Sequence, residues 1–344
     1  TTVNFVKVYD LSDPMSPVLK GQYSFPSGIY LEFYNYYNYG GYSQSAMQID
    51  PAHLIDPTHL AVITTSGSYS YSNCEIYVID LTNPASPVKD SSIKVALQYP
   101  ESTVFVGTTL YLSEYEYYYD YEGAYGYYSY ENHYLTVIDM ADPAKPTVTE
   151  SISIPGPVVG ASPDGKYIYT NSQWYNQTTY TTVSTFDILS LEGGVATLLT
   201  AFRFDQYVNG IIVEGNMAYI GLGGYEYRYY YEYGLDGDMG GVRGPDSEPS
   251  SSKLIILDLT NPLAPVLAQT LVLPQWTELS CVSDGLIMLT PGNTGQLLIY
   301  DASMPGAIML MGLYSIPGYA NNIRVYEDNI YVISGNYGIT RISA

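Results

Sequence analysis

Apolar residues along this chain come in short runs. Four follow one another in the segment Val266 to Leu273, Trp276 to Val282, Leu286 to Thr290 and Gln296 to Asp301. Each is apolar throughout or alternates apolar with polar residues. Each is bounded by Pro, Gly, Asn or Asp, the pattern of strands joined by tight turns. No stretch keeps a 3.6-residue period over three turns, so long helices are not expected. One phrase recurs at the end of every such set. It reads most clearly at Val78-Ile79-Asp80-Leu81-Thr82-Asn83-Pro84-Ala85-Ser86-Pro87-Val88. It returns at Val8-Tyr9-Asp10 through Pro17, at Val137-Ile138-Asp139 through Pro146 and at Ile256-Leu257-Asp258 through Pro265. Weaker copies lie at Thr185-Phe186-Asp187 and Ile299-Tyr300-Asp301.

A unit of a few short strands repeated at this spacing marks a propeller or solenoid. The shortest interval between phrase aspartates is 43 residues, from Asp258 to Asp301. The longer intervals read as the same unit carrying insertions. Four strands per unit, in the order a, b, c, d with the phrase ending strand c, predict an all-β chain folded as a β-propeller. The chain opens with a c and a d strand (Val3 to Asp10, Val18 to Phe25) and closes with a, b and c (Asn322 to Tyr326, Ile330 to Ser334, Ile339 to Ser343). Pairing Val18 to Phe25 with Ile339 to Ser343 closes six four-stranded blades, with seven blades as the alternative. Residues 1–344 then form one domain, with Tyr-rich insertions at about 34–58, 115–134 and 225–252. Val3 to Asp10 is surplus in the six-bladed count. It pairs within its own ring or with a neighbouring molecule. Val78, Val137 and Ile256 are expected to be buried between blades.

The repeated Asp is expected to be a turn builder. Asp, Asn and Ser ahead of Pro accept hydrogen bonds from nearby backbone N–H groups. Proline fixes φ just where a strand ends and no ladder donor is needed. Ser162-Pro163-Asp164-Gly165-Lys166 reads as a hairpin turn of the same logic. With the phrase and its spacing in view, the chain resembles the LVIVD-repeat β-propellers of bacterial and archaeal cell surfaces. That resemblance implies secretion and surface interaction, and it brings no shared catalytic motif.

Net charge is −22 with a pI near 4.1. No basic patch exists to neutralise phosphates, which excludes nucleic acid as the expected partner. No run of about 18 apolar residues is present, so no transmembrane segment is expected. The start at Thr1 fits a processed, secreted chain. Cys74 and Cys281 fall in different blades and read as small buried hydrophobes rather than a disulfide.

The chain has 41 tyrosines against 7 phenylalanines, so aromatic contact rather than core filling is the purpose to explain. Tyr combines a large, stiff contact area with a polar tip, which suits interfaces. The candidate contact residues are Tyr36, Tyr37 and Tyr39 in the first insertion. In the second they are Tyr117, Tyr118, Tyr119, Tyr121, Tyr125, Tyr127 and Tyr128. In the third they are Tyr227, Tyr229, Tyr230 and Tyr231, and a shorter insertion adds Trp174 and Tyr175. Read as loops, the second, third and shorter insertions are b–c connections on one face. The first reads as an a–b connection on the other. Ordering such a loop costs roughly 1–2 kcal/mol per residue, so self-association, intramolecular packing and carbohydrate stacking are the competing roles. Glu232, Asp236 and Asp238 supply hard oxygens for a candidate Ca²⁺ site, but without full EF-hand spacing, so a solvated acidic loop is the default and no cofactor is required. Asn176-Gln177-Thr178 is a glycosylation sequon.

His53, His59 and His133 are the only histidines, and none is paired in sequence with a candidate nucleophile. G-x-S-x-G, H-E-x-x-H and P-loop motifs are missing from the sequence. Three function classes stay open. The first is a structural surface protein that self-associates into a filament or sheath, with itself or other cell-surface components as partner. The second is an adhesion or carbohydrate-binding module. The third is a hydrolase or lyase with a carboxylate site assembled from distant loops.

Overall fold

The computed structural model describes residues 4–13, 16–29, 52–66, 73–97, 99–121, 127–149, 151–176, 181–204, 206–223, 251–292, 294–318, 320, 322–326, 329–334 and 337–343. Its regular elements are β-strands. A hairpin, β1 (Phe5–Asp10) and β2 (Val18–Ser24), comes first. Blade one is β3 (Ala52–Asp56), β4 (His59–Ser66), β5 (Asn73–Asp80) and β6 (Val88–Ala96). Blade two is β7 (Tyr99–Val106), β8 (Thr109–Tyr121) and β9 (Tyr127–Asp139), with an outer strand broken into β10 (Thr147–Val148) and β11 (Ile152–Ile154). Blade three is β12 (Val158–Ala161), β13 (Tyr167–Asn176), β14 (Thr181–Glu192) and β15 (Val195–Phe204). Blade four is β16 (Val208–Glu214), β17 (Met217–Leu222), β18 (Lys253–Asp258) and β19 (Val266–Val272). Blade five is β20 (Thr277–Ser283), β21 (Leu286–Pro291), β22 (Gln296–Asp301) and β23 (Met309–Ser315). Blade six is β24 (Asn322–Tyr326), β25 (Asn329–Ile333) and β26 (Ile339–Ser343). Consecutive strands are hydrogen-bonded neighbours within each sheet, except that β10 and β11 both pair with β9, and the fold is a six-bladed β-propeller.

The chain divides into two compact units. The first holds the hairpin, blades one and two, and β12. The second holds blades four to six, while β13, β14 and β15 give residues to both. In the first unit, Ile63, Ile76 and Val78 of blade one pack with Leu110, Leu112 and Ile138 of blade two. Tyr111 and Leu135 of blade two pack with Ile168 and Leu189 of blade three, and Val137 is half-buried at the edge of that cluster. The hairpin covers the other side of blade one, where Phe25 meets Tyr77 edge-on at 5.2 Å. In the second unit, Leu254 and Ile256 pack with Ile287 and Leu289. Met288 turns the opposite way and packs with Ile323, Ile330 and Val332 of blade six. Adjacent side chains of a strand point to opposite faces, so a strand buried on both faces reads as a continuous apolar run.

The phrase aspartates build turns. Asp10, Asp80, Asp139, Asp258 and Asp301 each accept a hydrogen bond at Oδ1 from the backbone N–H two residues on, at 2.7–2.9 Å. Asn83, Asp142 and Asn261 repeat the bond one step later, at 3.2 Å. The residue after Asp then bonds back to the turn between strands a and b: Leu81 N–H to Thr58 O, Met140 to Thr108, Leu259 to Asn216 and Ala302 to Gly285. The turn at Ser162-Pro163-Asp164-Gly165 also has the expected form. Ser162 Oγ donates to Asp164 Oδ1 at 2.7 Å, and Gly165 takes φ 68°, a value that favours glycine.

The terminal pairing takes a different form from the expected one. β2 pairs with β1, from Phe5 opposite Ser24 to Asp10 opposite Val18, and β26 pairs with β25 among the described residues. β1 is therefore not surplus. A local hairpin closes a short loop, which costs less chain entropy than pairing across the whole sequence.

Val78 has no solvent exposure and lies in the cluster shared by blades one and two. Val78→Asp buries an unpaired carboxylate, and a loss of more than about 4 kcal/mol is expected. Chemical denaturation of the two proteins measures it.

Candidate functional site

β8 and β9 are 13 residues each, where most strands here have five to eight. Their inner neighbour β7 begins at Tyr99, opposite Tyr115, and their outer neighbour β11 ends at Ile154, opposite His133. Beyond those points the two strands pair with each other alone among the described residues, from Glu116 opposite Asn132 to Tyr121 opposite Tyr127. At about 3.4 Å per residue this makes a two-stranded ribbon on the order of 20 Å long. Expected as a loop, the second insertion is thus mostly strand. Tyr118 sits opposite Tyr130 in its register. Tyr125 lies outside the described residues.

The other candidates distribute unevenly. Trp174 stands near the end of β13 with 47% of its surface exposed, and Tyr175 and Asn176 follow it in that strand. Tyr36, Tyr37, Tyr39, Tyr227, Tyr229, Tyr230, Tyr231, Glu232, Asp236 and Asp238 lie outside the described residues. Among the described residues no group of three or more His, Cys, Asp or Glu is placed to hold a metal. The first insertion is not an a–b connection. Strand a of blade one is β3, and it turns into β4 through Asp56-Pro57-Thr58, where Asp56 Oδ1 accepts from the Thr58 N–H at 2.6 Å. Residues 30–51 therefore join β2 to β3. β3 starts at the end of the sheet where β4 stops, the end from which the b–c connection leaves.

At the base of the ribbon lies a polar centre. Pro100 pairs with Glu114 and Ser102 with Ser113, so Glu101 is the extra residue of a β-bulge. A bulge re-aims a side chain. Here it takes the Glu101 carboxylate, 2% exposed, to 2.8 Å from Nδ1 of His133. The Tyr115 ring lies 6.4 Å from the His133 ring. Burial raises the Glu101 pKa against the lowering effect of His133. Burial disfavours the charged form of His133, but the hydrogen bond and charge of Glu101, with Glu131 nearby, reverse this and leave its pKa raised.

The neighbouring serines are committed elsewhere. Ser102 Oγ donates to the Val158 carbonyl at 2.6 Å, Val158 N–H donates to Ser113 Oγ at 3.3 Å, and the two hydroxyls are 2.5 Å apart. With the Ser102 proton on Val158, Ser113 must donate to Ser102. The first residue of β12 is thereby clasped at both backbone groups by blade two. Blade four does the same to blade five. Asn209, also a bulge residue, donates from Nδ2 to the Thr277 carbonyl at 3.0 Å, and Thr277 N–H donates to Ser252 Oγ at 3.2 Å. These residues escaped sequence reasoning. Their signal was a polar residue six positions before the turn glycine: Glu101 before Gly107, and Asn209 before Gly215.

The remaining histidines are engaged. His53 stacks on Phe105 at 4.1 Å, and His59 Nδ1 sits 2.8 Å from Asp56 Oδ2. Cys74 and Cys281 are free thiols whose pKa burial pushes up to about 12 and about 11, which keeps them protonated and unreactive.

Residues 122–153, the second half of the ribbon and the phrase after it, match the LVIVD repeat. That match covers a single stretch of a chain folded as a β-propeller. No curated protein matches it in sequence. Among solved structures, a functionally unknown protein from Desulfotomaculum acetoxidans is similar at 11% identity and TM-score 0.53, over 98% of this chain and 89% of that one. A periplasmic gluconolactonase from Pseudomonas aeruginosa is similar at 11% identity and TM-score 0.49, over 83% of each chain. An acylaminoacyl peptidase from Pyrococcus horikoshii is similar at 9% identity and TM-score 0.47, over 83% of this chain and 42% of that one. At these identities the likeness concerns the fold. No helix among the described residues is long and apolar enough to cross a membrane.

The Glu101–His133 pair has a definite pH signature. His133 is raised above 6.5 and Glu101 above 4.5 in the folded chain, so the folded state binds protons more tightly at both groups. The pair's contribution is full below the unfolded values and is lost as pH rises through the folded ones. The melting-temperature gap between wild type and His133→Gln is expected to be wider near pH 5.5 than near pH 8.5. A gap that does not change with pH would count against the pairing.

Proposed function

We propose that this chain is a secreted, non-enzymatic interaction propeller that self-associates at the cell surface through its tyrosine-rich segments. The observation that carries this reading is the β8–β9 ribbon. It presents two strand edges beyond the last partner of the blade, and exposed edges are templates for another chain. A ribbon rich in tyrosine offers contact area along with those edges. The LVIVD repeat supports placement outside the cytoplasm. Against catalysis, Glu101 and His133 form an acid–base pair, but Ser102 and Ser113 beside it spend their hydroxyls on Val158.

Joining Tyr115 to His133 through a short Asn-Gly turn removes the ribbon and leaves the β7 and β11 pairings intact. The shortened protein is expected to associate at least about tenfold more weakly, a shift of roughly 1.4 kcal/mol, with little change in melting temperature. Light scattering across a concentration series, with electron microscopy of the product, reads this out. Equal association by both proteins would remove the ribbon from the interface.

Trp174, 47% exposed on the neighbouring blade three, favours a second reading as a glycan-stacking surface. In that case Trp174→Ala abolishes binding on a glycan array while self-association persists. An array on which wild type binds nothing eliminates this second reading.

A further inference from the structure

Among the described residues, two other than glycine have a positive φ. Asp284, at 53°, sits in a hairpin turn with Gly285, where Asp is readily accommodated. Trp276, at 62°, is a bulky residue in a conformation that L side chains rarely adopt. It lies in Leu273-Pro274-Gln275-Trp276, the linker from β19 to β20. The linker from β2 to β3 begins in the same way, Phe25-Pro26-Ser27-Gly28. Leu273 N–H donates to Ser252 O at 2.8 Å and Phe25 N–H to Asn4 O at 2.9 Å, so the two are anchored alike. At the fourth place Gly28 takes φ 85°, and a Cβ there would meet nothing within 4 Å. One linker thus uses glycine where the backbone favours it, and the other holds a tryptophan in that place. Gly292 N–H fixes it by donating to Trp276 O at 2.6 Å. Strain kept in place by its surroundings points to a use for the side chain.

The chain has two tryptophans, and the residue beside each is bonded to the start of β16. Gln173 Nε2 donates to Val208 O at 3.2 Å, and Asn209 Nδ2 donates to Thr277 O at 3.0 Å. Tyr207 immediately precedes Val208 and is half-buried, as Trp276 is, while Trp174 is exposed. A glutamine comes before the ring in both linkers, as Gln206-Tyr207 and Gln275-Trp276. Residues 172–174, 206–209 and 274–277 include no charged side chain, in a chain with 34 acidic and 12 basic residues. Aromatic rings among uncharged amides suit a neutral ligand rich in hydroxyls. The C–H bonds on the face of a sugar ring are slightly positive and meet the negative face of an indole. An amide both donates and accepts hydrogen bonds, as sugar hydroxyls do.

We propose that Trp276, Tyr207 and Trp174 form a stacking track for a neutral, linear glycan at the entry of blade four, and that the strained backbone of Trp276 presents its indole for that contact. The rings come from three separate segments, so the ligand spans several sugars and is not a single monosaccharide. A cationic peptide also stacks on indoles, but it gains most where carboxylates flank the ring, and these segments have none. The inference rests on the glycan reading given above for Trp174 and deepens it. It adds the ring that the backbone holds in place, and it does not involve the ribbon.

Tryptophan fluorescence of the full-length protein reads the track directly, because both indoles of the chain belong to it. The probes are cellohexaose, chitohexaose, laminarihexaose and mannohexaose, with polylysine as the cationic comparison. At least one hexasaccharide is expected to change the emission saturably, and polylysine is not. Trp276→Gly copies the Gly28 linker. It is expected to melt close to wild type and to bind that sugar at least about tenfold more weakly by calorimetry. Trp276→Asn, which also tolerates a positive φ, is the second variant with the same expectation. Trp276→Phe keeps a ring and is expected to stay within about threefold of wild type. Wild-type affinity in Trp276→Gly or Trp276→Asn overturns the track, and a fall in melting temperature alongside it makes the indole a packing residue. If Trp174→Ala alone then loses the sugar, the earlier glycan reading stands without Trp276. A wild-type chain that responds to no hexasaccharide, or to polylysine alone, removes both and leaves self-association through the ribbon untouched.

Discussion

A blade of this protein has two apolar faces and cannot bury either one by itself. In β21, Ile287 and Leu289 enter the cluster shared with blade four, while Met288 between them enters the cluster shared with blade six. Burying one such side chain is worth roughly 1.5–3 kcal/mol, and every one of them needs a neighbouring blade to supply the other half of the contact. Stability therefore accrues blade against blade, as in other repeat architectures. The β1–β2 hairpin makes sense in these terms. It has only two strands, yet Phe25 and Val6 give Tyr77 and Ile79 of blade one the cover that a full blade gives elsewhere. An apolar sheet face needs a cover, and a hairpin suffices.

Apolar burial is indifferent to register, and the polar fastenings supply it. The clasps on Val158 and Thr277 fix where each following blade begins. The contacts of Gly21, Ser91 and Gln269 with the phrase turns fix the outer rim. Each hydrogen bond is worth only about 0.5–1.5 kcal/mol net, but a buried partner left unmatched costs about 1–3 kcal/mol. Their main effect is thus to penalise misplacement. That explains why polar residues such as Ser102, Ser113 and Asn209 sit within runs that otherwise read as core.

The architecture was legible because strand, turn and phrase repeat together. Asp80, Pro84 and Pro87 mark the end of one strand and the entry of the next, and five of the phrase aspartates make the turn bond expected of them. What was not legible depends on pairing partners distant in sequence. Nothing in Phe5 to Asp10 alone says that it pairs with β2. Residues 115–134 looked like a loop because tyrosine and glycine crowd there, yet aromatic residues also favour strands, and β8 and β9 simply continue. Glu101 and His133 are 32 positions apart and meet only because a bulge turns one toward the other. The first insertion was assigned to the wrong connection because a five-residue strand, Ala52–Asp56, ends in the Pro-containing turn that looked like part of the insertion.

The turn carboxylates and the Glu101–His133 pair respond to pH in opposite directions. Asp10, bonded first by Lys20 and then by the Ser12 N–H, is held down at about 2. Asp80, Asp258 and Asp301 are lowered by hydrogen bonds from Thr82, Thr260 and Ser303. A carboxyl depressed on folding supports the fold above its ordinary value near 3.8 and loses that support as pH falls through the folded value. The Glu101–His133 pair does the reverse, losing its support as pH rises. The two limits also differ in kind. The turn carboxylates are exposed, so their effect is spread over many blades and screened by salt. The pair is buried, so its effect is local and largely insensitive to salt, concentrated at the base of the ribbon. A rise in pH therefore acts first on the blade that carries the tyrosine ribbon, while acid acts on the phrase turns of the hairpin and of blades one, four and five.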